Sequence, residues 1–144
     1  MIVGLAFIVG CFYLFLQKPA PAKYLGLKTI KIGETLVRVE VADTDRERIQ
    51  GLSGRQSLEK GFGMFFIFQE PGGHGIWMKN MRFLIDIAWI DSDMRIVWVE
   101  KNVSPETFPQ VFYPPSDVLY VLEVPVGTFE ENNIDIGDFV SQTD

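Results

Sequence analysis

The stretch that decides the fold class is Leu84-Ile85-Asp86-Ile87-Ala88-Trp89-Ile90, then Asp91-Ser92-Asp93, then Arg95-Ile96-Val97-Trp98-Val99-Glu100. Two runs rich in β-branched and aromatic residues flank a short acidic turn, the pattern of a β-hairpin. Upstream, Gly63-Met64-Phe65-Phe66-Ile67-Phe68 is continuously apolar and ends at Pro71-Gly72-Gly73, which predicts a strand buried on both faces. Gly75 to Asn80 is a further expected strand. Thr29 to Ile32, a Gly33-Glu34 turn and Thr35 to Val41 form another hairpin, with Val37, Val39 and Val41 on one face and Leu36, Arg38 and Glu40 on the other. Thr44 followed three residues later by Glu47 predicts a capping box, opening a short helix that stops at Gly51 or Gly54. Downstream, Asn102 to Pro115 reads as a long loop and Val118 to Val124 as a strand. Val126 to Asn132 suits one or two helical turns, and Ile136 to Val140 a closing β segment. The fold class expected is mainly β (α+β), a single curled antiparallel sheet or small barrel with one or two short helices.

The chain has 144 residues with 13 Lys+Arg against 19 Asp+Glu, net −6, which fits one domain with a real core. An acidic chain without a basic cluster argues against nucleic-acid binding, so no nucleic-acid partner is expected. One Cys excludes an intrachain disulfide, and with one His it excludes a Cys/His zinc site, so neither metal nor cofactor is expected. No glycine loop with Lys-Ser/Thr and no Gly-x-Ser-x-Gly elbow occurs. Asp91 and Asp93 fall short of a calcium set and read as turn residues. His74, between glycines, reads as a solvated loop histidine rather than a general base.

Met1 to Leu16 carries no charge and is closed by Gln17-Lys18-Pro19. As a helix it would reach roughly 24 Å, short of a hydrocarbon core of about 30 Å unless its ends snorkel. The expected organisation is a signal peptide or short membrane anchor over 1–17, a Pro-containing linker over 18–27 and a β-rich domain over 28–144. A buried core helix is the weaker alternative, because residues 1–16 are apolar on every side. Ile8-Val9-Gly10-Cys11 resembles a lipobox but lacks a basic n-region before it and a polar tether after it. The expectation is a membrane-anchored or exported protein, extracytoplasmic, with a membrane partner through residues 1–17. Lys18 and Lys23, which follow the apolar run, pull toward the opposite orientation and leave sidedness open.

Polar residues that interrupt apolar strands supply the candidate site. Asp86 and Glu123 each lie inside a strand, where an unpaired buried carboxylate costs several kcal/mol, so each needs a partner or water. Lys79, Arg48, Arg55 and Arg82 are the available cations. As a strand, Trp77-Met78-Lys79-Asn80 would put Trp77 and Lys79 on one face. One account is a structural ion pair or two at a sheet edge. The other is a polar cleft of Arg55, Trp77, Lys79, Asn80, Asp86 and Glu123, rimmed by Phe108, Phe112 and Tyr113.

Several stretches resemble the bacterial and archaeal family catalogued as domain of unknown function 192. They are Arg48-Ile49-Gln50-Gly51-Leu52-Ser53-Gly54-Arg55, Gly63 to Phe68, Trp77-Met78-Lys79-Asn80, Ile85-Asp86-Ile87, Ser104 to Pro109, Pro114-Pro115, Val121-Leu122-Glu123-Val124 and Ile136-Gly137-Asp138. The resemblance spans roughly residues 29–142 and implies one β-rich domain, often behind an export signal, with no established activity. Two positions depart from the family: Met81 stands where Thr is common, and Leu84 where Pro is common. The function expected is a small binding domain for a polar or anionic ligand or an envelope partner. Two alternatives stand beside it. One is a cell-envelope hydrolase with Asp86 or Glu123 as general base and Lys79 as oxyanion stabiliser; the other is a purely structural interaction module.

Overall fold

The computed structural model describes residues 29–143. The anchor, lipobox and linker readings lie outside the described residues. Among the described residues, no helix is long and apolar enough to cross a membrane.

The elements are β1 (Thr29–Ile32), β2 (Thr35–Ala42), α1 (Asp45–Gln50), β3 (Phe62–Gly72), β4 (Ile76–Trp77), β5 (Ile85–Ile90) and β6 (Ile96–Val103). After a 3-10 turn (Pro105–Thr107) come β7 (Val111–Phe112), β8 (Val118–Pro125), α2 (Thr128–Glu131) and β9 (Val140–Gln142). Seven strands form one sheet in the order β6-β5-β8-β3-β2-β1-β9, while β4 and β7 make a separate two-stranded ribbon. The fold is mainly β with two short helices, as the alternation of the sequence implies.

The sheet curls, and the packing shows why. One apolar cluster combines Ile30, Ile32 and Val140 from one end of the sheet with Met94 and Ile96 from the other, around Phe65, Tyr120, Leu122 and Phe129. Residues from opposite edges meet only if the sheet bends round to enclose them. Backbone bonds seal the seam: Ile96 N–H donates to the Asp138 carbonyl, Gly137 N–H to the Ile96 carbonyl and Val140 N–H to the Met94 carbonyl. The outer face carries a second cluster of Met64, Phe66, Ile85, Ile87, Trp89 and Val121, covered by Leu52, Ile76 and Met78. β3 therefore buries side chains on both faces, as its unbroken apolar run requires.

Four expectations need correction. The sheet is not wholly antiparallel: β2 and β3 run parallel, with Val39 opposite Gly63. The connection from Asp43 to Gly61, which contains α1, is long enough for the crossover that a parallel pair demands. The strand expected over Gly75–Asn80 ends at Trp77, because Asn80 adopts a left-handed backbone (φ 57°) and Met81 N–H closes a turn on the Met78 carbonyl. The final β segment is Val140–Gln142 rather than Ile136–Val140, since Asp138 N–H closes a tight turn on the Asp135 carbonyl.

The loop expected over Asn102–Pro115 is not one loop: β6 runs on to Val103, and Val111–Phe112 pair with β4 as a strand. Two local expectations hold. The Thr44 hydroxyl accepts from Glu47 N–H at 3.2 Å while the Glu47 carboxylate accepts from Thr44 N–H at 3.1 Å, a complete capping box. The Asp91 carboxylate turns the β5–β6 hairpin by accepting from Asp93 and Arg95 N–H, each at 2.9 Å.

Asp86 is the buried polar residue that ties β5 to its neighbours on the inner face. In the β5–β6 pairing, Ile85 faces Val103 and Ile87 faces Glu100, so Lys101 and Asn102 together stand opposite Asp86 as a bulge. Asn102 is left-handed there (φ 57°), and its N–H donates to Asp86 Oδ1 at 2.9 Å. Asp86 Oδ2 accepts from Phe129 N–H in α2 at 3.1 Å. Asp86, only 1% exposed, thus fastens α2 and the β6 bulge to β5, next to the edge of the sheet. Asp86→Ala strands two backbone donors and is expected to lower unfolding free energy by about 3–5 kcal/mol, measured by urea denaturation. Asp86→Asn, which keeps one acceptor, should lose clearly less.

Candidate functional site

The register of β8 separates the two carboxylates. Asp86 pairs with Val124 and Ile87 with Glu123, so Asp86 projects to the inner face and Glu123 to the outer. A cleft containing both does not form. Glu123 is flanked in register by Met64 on β3 and Ile87 on β5, in the middle of the outer apolar cluster. It is 6% exposed, and burial pushes its carboxyl up to about 8 against the opposing pull of the Arg55 guanidinium.

Arg55 does not close on Glu123. Its guanidinium forms a two-pronged pair with Glu40 of β2, at 2.5 and 2.7 Å. That hydrogen-bonded pair holds the Glu40 carboxyl below its ordinary value and raises that of Arg55. Among the described residues, no group donates a hydrogen bond to the Glu123 carboxyl, which lines a cavity of about 70 Å³ with Gly51, Leu52, Phe66, Ile76 and Met81.

Above this cavity lie two open grooves, of about 610 and 560 Å³, and both grooves and the cavity share Ile49 and Trp77. One wall is α1 with the turn after it. Each of the six residues of α1 keeps its side chain out of the core, which leaves Ile49 77% exposed. The other wall is β4 with the turn through Asn80. Main-chain acceptors join the two walls: the Ser53 hydroxyl donates to the Lys79 carbonyl and Gly54 N–H to the Asn80 carbonyl, both at 2.9 Å. Trp77 is 47% exposed, with Phe108 edge-on at 5.9 Å and the Lys79 ammonium 5.2 Å from its ring centre.

Of the six residues expected to form the site, Trp77, Lys79 and Asn80 line one groove together and Glu123 lies at the base of the adjoining cavity. Arg55 approaches Glu123 while committed to Glu40, and Asp86 lies across the sheet. Of the expected rim, Phe108 lies against Trp77. Phe112 packs beneath as the partner of Ile76, and Tyr113 backs Gly75, where a Cβ would sit 2.5 Å from the Tyr113 ring. His74 lies in a loop, as expected, but only partly exposed: its ring stacks on Phe68 at 3.6 Å and its Nε2 lies 2.9 Å from the Glu70 carbonyl.

Ile49, Gln50 and Ser53 also line the grooves without a sequence signal for a site, as do Arg82, expected only as an available cation, and Met81, noted only as a departure from the family. A signal existed in Asp45-Arg46-Glu47-Arg48-Ile49-Gln50, where a lone isoleucine in a polar helix has no apolar neighbour to pack against. The run Gly51-Leu52-Ser53-Gly54, which reads as a helix stop, is also the wall that carries Ser53.

Glu123 makes stability depend on pH in a definite direction. Its folded-state value lies above the ordinary 4.5, so the folded protein binds the extra proton between that value and about 8. Stability contributed by the neutral carboxyl is complete below the lower value and is lost as pH rises through the upper. Between about pH 5 and 9 the native protein should lose a few kcal/mol relative to Glu123→Gln. Urea denaturation across that range checks this, and parallel curves for the two proteins would refute it.

Residues 28–142 match the sequence profile of a family described as "Uncharacterized ACR". A UPF0127 protein of Thermococcus sibiricus is 30% identical over 103 residues, 70% of this chain and 63% of that protein. The chain spans about two thirds of the length of the curated relatives it matches. A Sinorhizobium meliloti crystal structure, provisionally described as a transcription regulator, superposes with TM-score 0.75 at 28% identity, covering 79% of this chain and 92% of that one. A structure of a Novosphingobium aromaticivorans protein of unknown function gives TM-score 0.75 at 27% identity, covering 80% and 84%.

Proposed function

We propose a function from the site alone, because the chain belongs to the family catalogued as domain of unknown function 192, whose function is uncharacterised. The chain is a non-catalytic binding domain that takes a polar ligand, or a segment of an envelope partner, across the grooves beside Trp77. The observation that carries this reading is the grouping of exposed Trp77 and Ile49 with Lys79, Gln50 and Asn80 around a concavity that ends on a buried carboxyl. Trp77 offers an apolar face and Lys79 a cation for an anionic group. Asn80 and Gln50 offer hydrogen bonds beside them. Location outside the cytoplasm, behind a membrane tether at residues 1–17, belongs to the same proposal. Removing those residues should move the chain from membrane pellet to soluble fraction after cell disruption.

The hydrolase alternative has one observation in its favour, a buried carboxyl shifted into the physiological range. It is nonetheless the weaker reading. Burial favours the protonated form of Glu123, Asp86 is bonded to two backbone N–H groups on the other face, and the Lys79 ammonium lies over Trp77. The structural-module alternative draws on the same exposed apolar side chains without needing Glu123.

The binding reading is tested by titrating the full chain with short N-acetylated acidic peptides and following amide and indole N–H shifts by NMR. Saturable shifts at Trp77, Lys79 and Gln50 are expected, and Trp77→Ala and Lys79→Ala should each weaken binding about tenfold. Shifts confined to other surfaces, or unchanged by both substitutions, would sink the reading.

A further inference from the structure

The outer grooves account for Trp77 and Lys79 but leave Glu123 without a role. A carboxyl so deeply buried is costly, and protein structures satisfy such groups with donors almost without exception. Here the cations that could do so are engaged elsewhere. Arg55 is held by both Glu40 oxygens. Arg48, at the cavity mouth, donates to the Asp43 and Ile67 carbonyls and to Asp45, each at 2.6 Å. Lys79 and Arg82 line the outer groove, not the cavity. From the strands on either side, Met64 and Ile87 bring no charge, and the turn across the mouth contributes the thioether of Met81. Among the described residues no side chain donates to this one acid, which shares the cavity with Leu52, Phe66, Ile76 and Met81 and with the polar side chains of Gln50 and Ser53, engaged with the Ser53 and Lys79 carbonyls.

We propose that the cavity over Glu123 is a specificity pocket for a primary alkylammonium group, presented by a lysine side chain of the bound ligand or by a free aliphatic amine. This rests on the binding reading above and names the group that enters the site deepest. At roughly 30 Å³ per water-sized group, 70 Å³ admits about two such groups, an ammonium and its adjoining methylene. The rest of an aliphatic stem lies in the mouth between Ile49 and Trp77, where its methylenes meet apolar side chains. The ammonium supplies up to three donors to a carboxylate that has none, in surroundings where the attraction is screened weakly. A guanidinium, planar and wider, fits the volume poorly.

The exchange of protons is explicit. Below about pH 8 the empty pocket holds the neutral carboxyl, so binding an alkylammonium expels one proton to solvent and leaves an ammonium–carboxylate pair. Affinity should therefore rise about tenfold per pH unit below that point and level off above it. Arg55 and Glu40, the nearest charged pair, do not change protonation across this interval and contribute no slope of their own.

The test uses the full chain and three probes: n-butylammonium chloride, an N-acetylated lysine peptide, and the same peptide with norleucine in place of lysine. Binding is followed by amide shifts of Leu52, Ser53 and Met81 and by the Glu123 carboxyl carbon, at about pH 6, 7 and 8. The expected result is saturable shifts with butylammonium and the lysine peptide, tightening with pH, and at least about tenfold weaker binding of norleucine. Butylammonium binding without the lysine peptide would assign the pocket to free amines. Glu123→Gln should abolish the pH slope, and Leu52→Phe, which fills the cavity, should block both amines while leaving Glu123 ionisable. Equal binding of both peptides at Trp77 and Lys79, with no shift at Glu123, would overturn the pocket and leave the groove reading standing. No shift with any of the three probes would overturn the pocket, and the groove reading would stand or fall with the acidic peptides. Butylammonium shifts that persist unchanged in Glu123→Gln would mean that the amine does not meet the carboxyl, and would refute the proposal.

Discussion

The pairing of β8 with β3 on one side and β5 on the other decides what each face of the sheet carries. It sets Glu123 between Met64 and Ile87, and Val124 beside Asp86. A slip of one residue would exchange the faces, putting Glu123 among the residues enclosed by the curl and Val124 outside. Gly63 helps to hold that pairing close. A Cβ there would lie 2.7 Å from the Glu123 carbonyl, so only glycine lets β3 approach β8 at this point.

The two buried acids solve the same problem in opposite ways. Asp86 is compensated by backbone: a left-handed residue in a bulge and the opening of α2 both aim N–H groups at it. Glu123 has only the longer-range field of an arginine that is itself occupied, and burial leaves it neutral at neutral pH. Two carboxylates, each inside an apolar strand, thus have different parts, one fastening the fold and one lining a cavity.

Much of the fold was legible because its signals are local. Period-two alternation in Thr35–Val41, the acidic turn after Ile90 and the Thr44–Glu47 box each depend on residues a few positions apart. The parallel pairing of β2 and β3 was not legible, since no local pattern records which strand a crossover returns to. The site was legible in part for the same reason. Trp77, Lys79 and Asn80 are adjacent in sequence and stay together. The separation of Asp86 from Glu123 depends on β5–β8 register, a relation between distant segments, and the capture of Arg55 by Glu40 depends on how the loop after α1 returns over β2. Ile49 escaped notice because an isoleucine in a helix ordinarily signals a buried face, and α1 has none.

The two bonds that join the groove walls, from Ser53 to the Lys79 carbonyl and from Gly54 to the Asn80 carbonyl, end on main chain rather than on movable side chains. A cleft fixed in this way has little freedom to widen for a bulky guest or to narrow around a slender one. Selection then works as by a gauge, on cross-section first and chemistry second, with little ordering left to do when a guest of the right calibre arrives. Changes in what such a domain accepts would come from resizing the side chains that face the gap, such as Ile49 and Met81, rather than from loosening the frame that holds them.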